Sequence, residues 1–248
     1  MSKTGWIVGG GKGIGRAVAE KLARDGWTIA VSARSEDDLA SLQALYPSQV
    51  FPFPLDVADP QAVQATASQV LEKLGKLDLA FLNAGTYKRD SAGSFRSDVF
   101  SNMVETNLLG VAYCLEAVMP KMIERRTGRI LVTSSVAGFT GLPGSIGYGA
   151  TKAALINMCE ALYPELRRYG VHLSVVNPGF VDTPLTKKND FPMPFIISDK
   201  EAADYIVRGI DTKRFEIAFP LAMVLLVKTL AVLPAPLSLL IKSKMLRK

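Results

Sequence analysis

The sequence is poor in the residues that build metal centres and disulfide frameworks. Two cysteines occur among 248 residues, Cys114 and Cys159, with no CxxC or CxxH spacing. A disulfide scaffold and a zinc site are therefore not expected, and a reducing compartment is the default. The single histidine, His172, rules out chemistry that needs a histidine cluster, and it falls in strand-like sequence. Carboxylates are missing from one region altogether. From Leu221 to Lys248 the chain carries Lys228, Lys242, Lys244, Arg247 and Lys248 and no acid. The formal charge of +6 is thus a property of the tail, since 29 Lys and Arg less these five leaves 24 against 23 acids. A nearly neutral body argues against a nucleic-acid-binding face. No secretory leader is expected, because strand-like sequence begins by Gly5. Apolar residues are what the chain has in quantity. It is 48% hydrophobic and 21% charged, with Gly 20 and Pro 14, a globular composition that excludes disordered and collagen-like chains.

Strand-like and helical patterns alternate along the chain. Strands are predicted at Trp6–Val8, Trp27–Ser32, Val50–Leu55, Leu77–Leu82, Arg129–Thr133, Val171–Val176 and Phe215–Phe219. Between them lie helices at Ile14–Leu22 closed by Gly26, at Glu36–Leu45, and at Pro60–Leu74 behind a capping Asp59. Further helices are predicted at Asp98–Ile123, Tyr148–Arg168, and Ser198–Ile210, the last opened by a Ser198-x-x-Glu201 capping box. Strict alternation with unbroken apolar strands predicts one α/β domain, a doubly wound Rossmann-type fold with a mainly parallel seven-stranded sheet and an apolar helical C-terminal tail. Residues 1–219, which carry the alternation, are expected to form the ligand-binding body, with a lid segment at about 182–197. Residues 220–248 form an apolar, basic-ended tail of the same domain.

The turn after the first strand reads Gly9-Gly10-Gly11-Lys12-Gly13-Ile14-Gly15, spaced Gly-x3-Gly-x-Gly. Glycines there allow a tight turn that brings N–H groups and a helix N-terminus against a pyrophosphate. The second strand ends Ser32-Ala33-Arg34, where NAD-binding chains carry an acid for the ribose 2′-hydroxyl. With no acid in that position and with Arg34 and Lys12 as two cations, the expected cofactor is NADP(H).

Tyr148 and Lys152 lie four apart on one helix face, so the ammonium stands near the phenol. Half-ionising a tyrosine at pH 7 requires a fall of about three pKa units, roughly 4 kcal/mol, more than one lysine supplies alone. Ser135 precedes Tyr148 by thirteen residues. With Gly9, Gly13 and Gly15, Asp56-Val57, Leu82-Asn83-Ala84-Gly85, Asn107 and Asn177-Pro178-Gly179 through Val181-Asp182-Thr183, the chain up to Phe219 resembles the short-chain dehydrogenases/reductases.

The resemblance implies an NADP(H)-dependent oxidoreductase that reduces a ketone or aldehyde on a moderately apolar small molecule. It implies Tyr148 as general acid, Ser135 as the hydrogen-bond donor to the carbonyl oxygen, and Lys152 as the group that binds the nicotinamide ribose and keeps Tyr148 acidic. Asn107 is implied to position a water that links Lys152 to solvent. Asp56 and the Val57 backbone are implied to receive the adenine. Gly9, Gly11, Lys12, Gly13, Ile14, Gly15, Arg34, Asn83, Ala84 and Gly85 are implied to line the cofactor trough. Pro178, Gly179, Val181 and Thr183 are implied to hold the carboxamide. No metal is implied. A homo-oligomer, dimer or tetramer, is expected, in the cytoplasm. A 3-oxoacyl-thioester or keto-lipid reductase is a narrower option within the class. A cofactor sensor, or a membrane-associated binding protein without turnover, is the alternative outside it.

Three departures accompany the likeness. Val8 stands where the family has a Thr whose hydroxyl ties the turn to the fourth strand. Leu82 leaves one asparagine of a usual pair. Pro164, inside the Tyr148 helix, removes a bond to the Glu160 carbonyl and is expected to kink it at about 3 kcal/mol. The lid region is aromatic and contains Met193, which suits an apolar substrate. For Leu221–Ile241, packing on the body or on a second subunit is the first expectation and interfacial membrane anchoring the second. A transmembrane helix comes third, because Lys228, Pro234 and Pro236 interrupt it.

Overall fold

The computed structural model describes residues 2–246. Arg247 and Lys248 of the basic tail lie outside the described residues, as does the side chain of Lys188. Seven strands form one sheet: β1 (Thr4–Val8), β2 (Thr28–Ala33), β3 (Val50–Pro54), β4 (Leu79–Leu82), β5 (Gly128–Thr133), β6 (Val171–Pro178) and β9 (Glu216–Phe219). Their order is β3-β2-β1-β4-β5-β6-β9, and every pairing is parallel. The order reverses between β1 and β4, so the carboxyl ends of the central strands open a crevice there.

Side chains that alternate along each strand feed two cores. Trp6, Val8, Leu82 and Ile130 pack on one face under α3 (Pro60–Leu74), α5 (Gly110–Glu124) and α6 (Ile146–Arg168). Ile7, Ile29, Phe81 and Leu131 pack on the other under α1 (Gly13–Arg24), α2 (Glu36–Leu45) and α7 (Asp199–Thr212). Burial on both faces is why these strands read as continuous apolar runs. The caps behave as their residue types dictate. Asp59 accepts from Gln61 and Ala62 N–H, Gly26 has φ 80° behind α1, and Ser198 and Glu201 close a reciprocal capping box on α7. Edge strand β3 carries Pro52 and Pro54; Leu55 N–H donates to Ala33 O, so the inward-bonding positions are the odd ones and both prolines face outward.

Three regions depart from the sequence reading. The single helix expected at Asp98–Ile123 is α4 (Ser97–Val104), then a π turn at Glu105–Leu109, then α5. Helix α6 runs uninterrupted from Ile146 to Arg168 through Pro164. The lid begins and ends in a two-stranded sheet, β7 (Val181–Asp182) paired with β8 (Ile197–Ser198). Beyond β9 the tail folds as two helices, α8 (Leu221–Val232) and α9 (Ala235–Lys244), separated where Pro234 and Pro236 fall. Met223, Val224 and Val227 of α8 pack on Val136, Phe139 and Phe180. Ser238 of α9 donates to Leu230 O at 2.8 Å, and Lys242 Nζ to Thr140 Oγ1 at 2.7 Å. Among the described residues no helix is long and apolar enough to cross a membrane.

Candidate active site

The loop between β1 and α1 is shaped by what cannot fit in it. Gly9 has φ 83°, and a Cβ there would lie 2.5 Å from Ala84 N. A Cβ on Gly15 would lie 2.1 Å from Gly9 O, so Gly15 supports the loop from beneath and does not line the cleft as expected. Gly9 and Gly10 N–H both donate to Ser32 O, at 2.8 and 3.0 Å. Asn83 Nδ2 donates to Gly9 O at 3.0 Å while its Oδ1 accepts from the Thr133 hydroxyl at 3.0 Å. The tie between loop and fourth strand, expected to be lost with Val8, is thus made by Asn83. Helix α1 starts behind Lys12 with no side-chain cap and no acid in its first turn. Its leading N–H groups are free to meet an anion.

The loop walls one end of a cleft of about 440 Å³. Gly11, Lys12, Gly13 and Ile14 line that end together with Arg34, Asp56 and Val57. Asn83, Ala84 and Gly85 form the middle, and Ser135, Tyr148, Lys152, Pro178, Gly179, Val181 and Thr183 the far end. The expectation of no carboxylate beside the two cations does not hold. Asp38, in the first turn of α2, lines the same cleft and its Oδ2 lies 3.0 Å from Lys12 Nζ. Hydrogen bonding to the Ser35 hydroxyl, and then the Lys12 ammonium, hold its carboxyl below the ordinary range. Arg34 extends into solvent, with Nη1 4.0 Å from Asp56 Oδ2.

At the far end three elements bring the reacting groups together. Ser135 follows β5; its Oγ accepts from Ala137 N–H at 3.1 Å and donates to Pro178 O at 3.3 Å. The next turn packs so closely on α6 that a Cβ on Gly138 would lie 2.8 Å from the Lys152 carbonyl carbon. Lys152 is 3% exposed; its Nζ donates to Thr133 O at 2.8 Å and lies 5.5 Å from the centre of the Tyr148 ring. Burial pulls the Lys152 ammonium down to about 7. Burial likewise pushes the Tyr148 phenol up to about 12, against the pull of the Ser135 hydroxyl. The resting pair is therefore a protonated phenol beside an amine that is close to half neutral at pH 7. Lys152 alone does not make the Tyr148 phenol acidic, as the size of the required shift leads one to expect.

Asn107 sits in the π turn, fully buried. Its Nδ2 donates to Thr86 O at 2.9 Å and Thr151 Oγ1 at 3.2 Å, and its Oδ1 accepts from Thr86 N–H at 2.7 Å. With its side chain so engaged, Asn107 lies behind the cleft wall and braces the Thr86 backbone and Thr151.

Two contributors were not found from sequence. Asp90, buried in the loop before α4, accepts from Ile146 and Gly147 N–H at 2.6 Å each. It caps the helix that carries Tyr148 from 56 residues away. Tyr87 meets the Tyr148 ring edge-on at 5.2 Å and donates to Gly144 O at 3.1 Å. The lid is fastened to this loop by an ion pair between Arg89 and Asp190 and by Arg89 over the Phe191 ring at 5.2 Å.

A family model described as short chain dehydrogenase matches residues 3–192. An uncharacterized oxidoreductase of Myxococcus xanthus is 35% identical over 241 residues, covering 95% of this chain and 94% of its own. A 3-oxoacyl-[acyl-carrier-protein] reductase of Staphylococcus aureus is 32% identical over 190 residues, 75% of this chain and 77% of its own. Among solved structures, a short-chain dehydrogenase/reductase from Burkholderia phymatum in complex with NAD superposes with a TM-score of 0.85. It is 27% identical, and 92% of each chain is covered. ElxO with NADP bound superposes at 0.79, 26% identical, over 88% of this chain and 98% of that one.

Proposed function

The chain belongs to the short-chain dehydrogenase/reductase family, an oxidoreductase acting on CH–OH or C=O groups, and on that premise we propose that it uses NADP(H) to reduce a ketone or aldehyde on a moderately apolar small molecule. The observation that carries this reading is the convergence of Ser135, Tyr148 and Lys152 at one end of a cleft whose other end is the glycine loop with Lys12 and Arg34. The residues fit a phosphorylated dinucleotide. Side chains are excluded at Gly9, the α1 N-terminus is uncapped, and two cations stand at the rim, each with an acid beside it, Asp38 at 3.0 Å from Lys12 and Asp56 at 4.0 Å from Arg34.

The dinucleotide, when bound, supplies the hydride. Gly9, Gly11, Lys12, Gly13 and Ile14 would hold its phosphates, Arg34 and Lys12 its 2′-phosphate, Asp56 and Val57 its adenine, and Pro178, Gly179, Val181 and Thr183 its carboxamide. Asn83, Ala84 and Gly85 would flank the ribose. Tyr148, a protonated phenol at rest, donates its proton to the carbonyl oxygen. Ser135 donates a hydrogen bond to the same oxygen and so stabilises the developing charge. Lys152 is pinned by Thr133 O, and its titration near neutrality suits it to return a proton to Tyr148. Asn107 acts as a positioning residue through Thr86 and Thr151, and would help place a water that links Lys152 to solvent.

Phe180, Phe191 and Met193 around the lid favour an apolar substrate. The reductase relative in Staphylococcus aureus makes a 3-oxoacyl thioester the narrower reading. The enzyme is further read as a cytoplasmic homo-oligomer with peripheral membrane contact through 221–248. The test follows NADPH oxidation optically against ketones and aldehydes graded in chain length, with NADH and Tyr148→Phe as controls. Turnover that rises with chain length, prefers NADPH and disappears in Tyr148→Phe is expected. NADPH binding without turnover across the panel, unchanged by Tyr148→Phe, would instead favour a cofactor sensor.

A further inference from the structure

Helix α8 is apolar apart from Lys228 and Thr229, yet it is not enclosed. Met223, Val224, Val227 and Leu230 face the body and are buried. On the opposite side Leu221 is 68% exposed, Leu225 58% and Val232 81%. Helix α9 exposes Leu239 at 63% and Leu240 at 54% as well. A helix this apolar belongs inside a core or in lipid, and large exposed apolar side chains on two successive helices mark an interaction site.

We propose that the α8–α9 hairpin is a docking surface for an anionic phospholipid bilayer, lying in the interfacial plane. The charge pattern selects this occupant. The stretch from Leu221 to Lys248 has five cations and no carboxylate in a chain that carries 23 acids elsewhere. Two of those cations are engaged locally, Lys228 with Glu216 and Lys242 with Thr140 Oγ1, while Lys244 is exposed beside the patch. Anionic headgroups complement such a surface. A second copy would present the same acid-free face to itself, bringing like charges together across an isologous contact. The dimensions fit immersion rather than crossing. The 12 residues of α8 extend about 18 Å, against a hydrocarbon core of about 30 Å.

The buried side of the same helix adjoins the active cleft. Met223 packs within reach of Gly179, and Val136, next to Ser135, is in the same cluster as Phe180, whose ring meets the lid residue Phe191 at 5.9 Å. A bilayer held on the outer side of α8 stands one helix away from Gly179 and Phe180, which gives an apolar carbonyl compound dissolved in lipid a short route to the cleft. That delivery route depends on carbonyl reduction being the activity; the docking does not.

Flotation of the full chain with vesicles tests the docking without any substrate. Phosphatidylglycerol mixed into phosphatidylcholine is compared with phosphatidylcholine alone, for the wild type, Leu225→Glu, Leu239→Glu and Lys244→Glu. Expected is recovery with the anionic vesicles, weaker by about tenfold on neutral vesicles and in each variant, with melting temperature and NADPH binding in solution unchanged. Lys244→Glu alters one exposed side chain and so reads binding even if a leucine variant misfolds. Failure to float with anionic vesicles, equal binding to neutral ones, or variants that float like the wild type would overturn the proposal. So would a dimer in solution that Leu225→Glu converts to monomer, since a second copy would then cover the patch. Reductase activity that rises with anionic vesicles tests the delivery route separately; floating without such a rise retains the docking and refutes the route.

Discussion

Replacing Asp38 by Asn removes the carboxylate that sits 3.0 Å from Lys12 Nζ while preserving shape. An anion gripped by the far side of the same ammonium would stand about 6 Å from that carboxylate. Each unit of charge on it is then repelled by about 0.7 kcal/mol at the dielectric of water, since the site is open to solvent. A phosphate monoester with a charge between one and two at pH 7 thus loses roughly 1 kcal/mol at low salt and about half that at physiological salt. Asp38→Asn should therefore tighten NADPH binding by about fivefold at low salt and leave NADH within about twofold of the wild type. Fluorescence titration of both reduced cofactors reads this directly. Repeating it in Lys12→Ala closes a double-mutant cycle, and the gain should shrink as salt is raised. Equal gains for both cofactors, or no gain for NADPH, would refute the placement of the 2′-phosphate between Lys12 and Arg34.

Asp90→Ala strips two charge-assisted bonds from the start of α6 and should cost about 2 kcal/mol, roughly 4–8 °C in Tm, with kcat falling more than KM. Asp90→Asn keeps one acceptor and should recover part of both. Gly9→Ala and Gly85→Ala should separate folding from binding. At Gly9 the new Cβ meets Ala84 N at 2.5 Å with φ 83°, so at least about 2 kcal/mol of stability is lost in thermal unfolding. At Gly85 it meets Asn107 Oδ1 and Lys152 Nζ at 3.4 and 3.7 Å, ordinary contacts, so Tm should hold while cofactor affinity falls. Lys152 has a folded-state value of about 7, below its unfolded value near 10.5, so the unfolded chain binds more protons between those limits. The cofactor-free wild type should gain stability relative to Lys152→Met as pH rises from 7 towards 10, in denaturant titrations; a difference that is flat or falls with pH would contradict burial of the amine.

Much of the scaffold was legible because local chemistry and global fold agree. Glu36–Leu45 and Pro60–Leu74 match residue for residue, each set by a cap, Ser35 or Asp59, that satisfies the first N–H groups. What escaped the sequence acts at a distance or hides in a regular pattern. Glu105–Leu109 has the apolar spacing of an ordinary helix, so nothing local reveals its wider turn. Asp38 reads as an acid favourable at the start of α2, and only the tertiary approach of α1 turns it towards Lys12. Asp90 and Asn83 are single polar residues in loops whose partners lie 56 and 74 positions away, Asn83 bonding back to Gly9. Lys152 and Tyr148 were found by their spacing, but the direction of their pKa shifts follows from burial, which spacing does not report.

The prolines of β3 bear on how safely this sheet is exposed while the chain is being made. At positions 52 and 54 the outer margin of the sheet offers carbonyls but no N–H, so an incoming strand finds half a ladder and no place to zip. The opposite margin, β9, is four residues long and runs straight into Pro220 and α8. Neither side can template a growing stack of strands, the route by which long parallel sheets aggregate while folding slowly. Threonine at both 52 and 54 would restore the missing donors, and its cost should appear as lost soluble yield and faster aggregation on refolding, with the folded enzyme's turnover little changed.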